Sequence, residues 1–355
     1  AGAIGKSAQM PAHVWLPLAM EAPTPVSALI HAATMVNAGP FLLVRMSPVI
    51  VLSQTAMAVI ATVGGVTALF AAIVSLTQTE VKRTLAYSTI SQLGLMPLLC
   101  GVGAFVAAIF HLLAHGMFKA FLFLSTGNAL SATHRHVATH DEEPASSRGS
   151  LFAGALVMSV LPPLVIFSGP YRELWLSQSF SAASIALWIV GLGTVFFTAM
   201  TIFKSVTSVF SQAPPGAKDG APRVMPGLFS VKHVFGVIVA SAFVISVLIM
   251  VWRWLAAFLS SSVGNAGEMV AEPSTGFSVW IIAPIAVAVA GWAFAYARRE
   301  RSRSHETTAW QKRLYVFFLN KGYFDEIYDV YIVRPTIRIA GWLWRVIDQG
   351  PVSYT

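Results

Sequence analysis

The chain has a single cysteine, Cys100, in 355 residues. A lone thiol makes no internal disulfide, no iron–sulfur site and no CxxC redox pair. Charge is scarce too. Only 11% of residues are Asp, Glu, Lys or Arg, against about a quarter in a soluble domain. Between Thr84 and Phe118 there is none. Acidic residues are outnumbered, 15 against 23, for a net charge of +8. A Gly-rich phosphate loop and a multi-cysteine motif are both missing, so flavin, cluster and quinone are not expected to bind this chain. No strand pattern competes with helix, and open sheets are not viable in lipid.

What is present is apolar: 56% hydrophobic residues and a mean hydropathy of +0.69. This is the composition of a polytopic membrane protein. Its basic residues sit in short loops and one tail segment, which fits positive-inside asymmetry better than a nucleic-acid face. The N-terminal AGAIGKSAQ is neither a signal peptide nor a natural start. The chain therefore reads as a fragment or as one part of a split subunit.

A spanning helix needs about 20 mostly apolar residues. Expected spans are 26–46, 52–77, 84–101, 104–131, 150–170, 183–211, 232–259 and 277–297. Arg298–Arg313 is strongly basic and is expected on the cytoplasmic or matrix side. Counting back one span at a time puts Lys218–Lys232, 132–149 and Glu80–Arg83 on that same side. Asn37-Ala-Gly39-Pro40 and Pro162-Pro163 fall inside spans. Such interruptions are either harmless kinks or broken helices lining a cavity. From 310 to 349 charged and aromatic residues alternate at helical spacing. This stretch reads as an amphipathic helix, broken near Gly322 and Pro335, lying along the membrane surface or along partner subunits.

The chemistry concentrates in FHLLAHGMFKAFLFL. His111, His115 and Lys119 stand at i, i+4 and i+8, on one face of a helix. Ionisable groups at membrane depth are costly and usually mark ion or proton paths. Zinc is the rival reading for the histidine pair, but no Asp, Glu or Cys nearby completes a ligand set. His134, His136 and His140 belong to a polar loop. His31 lies in a span free of Asp, Glu, Lys and Arg, and imidazole can shuttle protons or simply bond a carbonyl. Lys6 is either functional or a snorkelling lysine at a membrane edge. Glu21 is a solvated loop residue or a partner for a cation. Tyr323, Asp325, Glu326 and Asp329 form a stripe that suits either docking to neighbouring subunits or a solvated face.

Three stretches carry a resemblance: GKSAQMPAHVWLPLAMEAPTPVSALIHAATMVNAG, TEVKRTLAYSTISQLGLM and HLLAHGMFKAFLFL. They resemble the antiporter-like subunits of respiratory complex I and the related Mrp antiporter and membrane-bound hydrogenase subunits. KGYFDEIYDVYIVRP narrows the likeness to the largest, distal complex I subunit, the NADH-quinone oxidoreductase subunit L / subunit 5 family. The resemblance implies an all-α, polytopic transmembrane bundle of inverted five-helix repeats with broken helices, followed by an amphipathic lateral helix. It implies a proton pathway through Lys6, His31, Lys82, His111, His115 and Lys119.

The family's FSKDE segment is replaced here by FSGPYRELW. Arg172 and Glu173 are then the nearest candidates for the pathway exit, and an arginine does not readily release its proton. FMN, iron–sulfur clusters and quinone are expected in partner subunits. Missing first-repeat helices are expected from the rest of the chain or from another chain. The implied division is 1–25, the end of a first-repeat broken helix; 26–79, the junction of the repeats; 80–211, the second repeat; 212–298, two further spans; and 299–355, the basic loop and lateral helix. The rivals are an Mrp-type sodium/proton antiporter, an inorganic-carbon-uptake partner, and a non-conducting structural subunit.

Overall fold

A computed structural model of the chain describes residues 2–136, 182–210, 250, 254, 257–258, 279–301 and 308–348. The double proline, the fifth expected span, most of the seventh, Arg172, Glu173 and His140 lie outside the described residues. The chain divides into two compact units, Ala1–His305 and Glu306–Thr355. Every regular element among the described residues is helical.

In the first unit the chain begins with short elements: α1 (Gly2–Lys6), α2 (Trp15–Leu18) and α3 (Thr24–Ala28). After α3 comes a wide π turn, Leu29–Ala33, and the helical path stops at Thr34. Thr34 has φ −127° and ψ −80°, far from helical values. Its hydroxyl and amide both bond the Leu29 carbonyl, at 3.1 and 3.2 Å. The chain resumes in α4 (Ala38–Arg45) and α5 (Ser47–Ile50). A π turn in an α-helix often marks a functional position, and His31 is at the centre of this one.

Four long helices follow: α6 (Gln54–Thr77), α7 (Val81–Gly101), α8 (Phe105–His136) and α9 (Ala182–Phe210). α10 (Val279–Arg301) completes the unit. They stand where the second, third, fourth, sixth and eighth spans are expected. By length and composition, Pro25–Arg45 and Gln54–Thr77 are long and apolar enough to cross a membrane. Phe105–Met117 and Ile189–Lys204 are shorter apolar stretches. α7 departs from a plain apolar rod because Lys82, Arg83 and a series of Ser, Thr and Gln residues lie along it.

Those polar residues are tolerated because α7 is enclosed. From Thr84 to Gly101 nearly all its side chains are buried. α6 covers one side at backbone contact. A Cβ placed on Gly64 would stand 2.5 Å from the Leu98 nitrogen, and one on Gly94 would stand 2.6 Å from the Ala68 nitrogen. Small residues at such crossings let van der Waals packing hold helices together where lipid supplies no hydrophobic drive. Ser53 caps α6 by accepting from the Ala56 amide at 3.2 Å. α7 turns into α8 through Gly103, whose φ of 89° suits glycine. The apolar core gathers Leu99, Phe105, Phe110, Val195 and Ala288, from α7, α8, α9 and α10.

The second unit holds α11 (Ala309–Leu319), α12 (Phe324–Tyr328) and α13 (Arg334–Leu343). A capping box between Thr308 and Gln311 opens α11, satisfying amides that the helix start would otherwise orphan. The chain breaks at Lys321–Tyr323, where Lys321, Gly322 and Tyr323 all have positive φ. At Pro335 it does not break. A π turn, Asp329–Val333, carries the path into α13, and Pro335 occupies that helix's first turn, a position needing no amide donor.

Candidate functional site

The site is built on α8. Its Phe105-onward run is apolar enough to fold as a buried helix, and the four-residue spacing then aligns the ionisable groups by geometry alone. His111, His115 and Lys119 are all buried, the lysine at 2% exposure. The two imidazoles lie 6.2 Å apart between ring centroids, tilted by 32°.

Lys119 points at α7. Its Nζ donates to the Leu85 carbonyl at 3.3 Å and to the Ser88 hydroxyl. Ser88 and Thr89 also donate to the Leu85 carbonyl, each at 2.9 Å. That carbonyl is therefore a shared acceptor in a small polar knot. Among the described residues no ion pair involves Lys119. Met20, Ala28, Leu85, Ala86, Phe123 and Ile202 form an apolar cluster around this region. In such surroundings electrostatic interactions are stronger than in water.

His31 arrives from the π turn. It is fully buried and stacks on Phe123, centroids 5.9 Å apart and planes 26° apart. Phe123 is one helical turn beyond Lys119, so the stack brings His31 to the α8 line. Lys119 interacts electrostatically with both His31 and His115. Both ring nitrogens of His31, His111 and His115 lack a hydrogen-bond partner among the described residues. Buried polar atoms are seldom left this way, and one unsatisfied group costs about 1–3 kcal/mol.

The fold thus brings together His31, His111, His115 and Lys119. Lys6 ends α1 and is exposed in this chain. Lys82 is half-buried in the first turn of α7, one turn before Leu85. Glu21 is exposed at the end of the short 3-10 turn Ala19–Glu21. In the second unit Asp325 pairs with Lys321 at 2.5 Å and Asp329 with Arg334 at 2.8 Å. Tyr323 takes a hydrogen bond from Asn320 at 3.1 Å.

One buried group and one half-buried group escaped the sequence reading. His13 packs edge-on against Phe70 and Tyr87, with its Nδ1 3.1 Å from the Pro11 carbonyl. Lys204 donates to the Leu76 and Gln78 carbonyls at 2.7 and 2.6 Å. The signal for Lys204 was available: it is the one Asp, Glu, Lys or Arg within 183–211.

Residues 1–198 match the family model described as NADH:quinone oxidoreductase/Mrp antiporter, TM. The chain belongs to this family. It is an integral membrane protein, similar along its whole length to NADH-quinone oxidoreductase subunit L and chain 5 proteins. Subunit L of Rickettsia felis is 31% identical over 100% of this chain and 58% of its own length. NAD(P)H-quinone oxidoreductase chain 5 of Synechocystis is 35% identical over 100% of this chain and 60% of its own. NADH-ubiquinone oxidoreductase chain 5 of Arabidopsis thaliana is 32% identical over 99% and 55%. The chain therefore spans less than two thirds of the length of these relatives. In three dimensions it resembles a chain of the Mrp complex from Dietzia, with a TM-score of 0.57, 25% identity, and coverage of 99% of this chain and 40% of that one.

Proposed function

We propose that this chain is part of a proton-translocating, antiporter-like membrane subunit of a complex I-type NADH/ferredoxin:quinone oxidoreductase. The observation that carries the reading is the buried line of His111, His115 and Lys119, joined by His31 and lacking a countercharge among the described residues. Spacing of eight residues at about 1.5 Å rise makes that line roughly 12 Å long, enough to carry protons across part of a bilayer with intervening waters. Lys82 and Lys6 extend it toward the first repeat, and Arg172 and Glu173 toward the exit. A carboxylate approaching a buried lysine favours its charged form and desolvation favours its neutral form, so a movable neighbour loads and unloads the proton.

In this reading the redox chemistry belongs to partner subunits that hold FMN, iron–sulfur clusters and quinone. Tyr323, Asp325, Glu326 and Asp329, on a helical tail rich in exposed Trp, Tyr and Ile, dock against other membrane subunits and lipid. Broken helices at Lys6 and Thr34 are the family's devices for lining a wet path. The basic loops face the cytoplasm or matrix.

A second reading is favoured by two observations: the likeness to the Mrp complex and the absence of the FSKDE lysine. It makes the chain part of a sodium/proton antiporter. The experiment for both is ion uptake into vesicles holding the assembled complex, measured with quinone reduction. Lys119→Met is expected to abolish proton uptake and slow quinone reduction. Lys119→Arg is expected to be nearly as damaging, because guanidinium keeps its proton. Parental uptake in Lys119→Met would sink the pathway. Sodium uptake without quinone reduction in the parent would select the second reading.

A further inference from the structure

We infer that α9 carries a second polar track that moves protons between the Gln78–Glu80 loop and the His111 region, with Lys204 as its ionisable member. The inference rests on the proposed function and names residues of the path which that reading does not contain. Gln92 of α7 donates to the Thr198 hydroxyl at 3.3 Å. Thr201 shares a 2.7 Å hydrogen bond with Ser75 of α6. Lys204 then reaches the Leu76 and Gln78 carbonyls. Thr201, Thr198 and Ser75 are all buried.

The helix geometry explains the sequence of partners. Steps of three residues fall about 60° short of a full turn, so the row drifts around α9. It begins against α7 at Thr198 and ends against α6 at Lys204. Six residues at about 1.5 Å make the row roughly 9 Å long. One end lies level with the loop before α7. The other lies at Gln92 on α7, the helix that packs against the His111-bearing α8.

Each hydroxyl accepts a proton from the group behind it and passes its own forward, waters filling the gaps. No net charge stays on the row. Lys204 releases one N–H proton into the row and is reprotonated from the loop side, or the reverse. The competing explanation is a helix clamp, since a cation on the last carbonyls of α6 opposes the helix dipole. A clamp needs Lys204 charged and does not need the Thr201 hydroxyl.

That difference sets the test, in the assembled complex in membrane vesicles. Thr201→Val keeps the lysine–carbonyl bonds and removes the hydroxyl. Lys204→Arg keeps a cation at the helix end but cannot relay. Both are expected to lower proton uptake at least about a hundredfold, the low end for removing a positioned proton-transfer group, with normal subunit assembly. Thr201→Ser is expected to restore uptake, which separates loss of the hydroxyl from misfolding. Parental uptake in either Thr201→Val or Lys204→Arg overturns the track. Lys119→Met, run alongside, reports on the main pathway: its collapse with both α9 variants parental leaves the proposed function standing and removes only the track.

Discussion

The buried lysine of the bundle and the paired charges of the tail follow opposite rules. In the tail, Asp325 meets Lys321 and Asp329 meets Arg334, each within one turn or so of its partner. In the bundle, Lys119 donates to the Leu85 carbonyl and the Ser88 hydroxyl and meets no carboxylate among the described residues, and Lys204 donates to the Leu76 and Gln78 carbonyls. The tail pairs are partly exposed, so water screens them and their contribution is small. Lys119 is buried away from water, and its donors must find acceptors in a neighbouring helix. Local charge pairing suits a surface segment. A lysine bound only by neutral groups suits a proton carrier, because no fixed carboxylate locks it in the charged form.

This contrast can be broken at several points. The largest effect is expected from deleting 310–349, which should detach the subunit from its complex while electron transfer in the remainder persists. Normal assembly after the deletion would show that the tail's charges and aromatics dock nothing. Next comes His115→Leu, which keeps bulk in the core and removes one imidazole from the line. Proton uptake should fall at least about a hundredfold, in the range for a positioned proton-transfer group, with helix content unchanged by circular dichroism. An uptake equal to the parent would make the α8 line ordinary packing.

The smallest effect belongs to the tail pair. Asp329→Asn should cost about 0.5 kcal/mol or less, read as a slight shift in thermal unfolding of the purified complex, with uptake unaltered. A loss as large as that of His115→Leu would erase the distinction between the two regions.

Much of this architecture was readable from residues alone. The helices α6 to α10 stand where long apolar runs sit between Gly, Pro and charged punctuation. The i, i+4, i+8 stripe on α8 was equally plain, because periodicity is a local property. The tail's break at Gly322 follows from the one residue type that readily takes positive φ. Continuation through Pro335 was not foreseen. A proline in a helix's first turn loses nothing, and only the π turn before it puts Pro335 there.

The sequence by itself determined that this is a helical membrane chain with a row of ionisable residues where charge is costly. Composition and spacing suffice for that, since burying apolar surface and satisfying the backbone leave no other option in lipid. It did not say what those residues touch. Among the partners of Lys119 and Lys204 are the backbone carbonyls of Leu85, Leu76 and Gln78, and every residue carries one. Which carbonyl is chosen depends on how α8 packs on α7 and α9 on α6. The stack of His31 on Phe123 likewise joins positions far apart in the chain, through a π turn that no local pattern announces. Tertiary packing decided these contacts because acceptors common to all residues gain identity only from position.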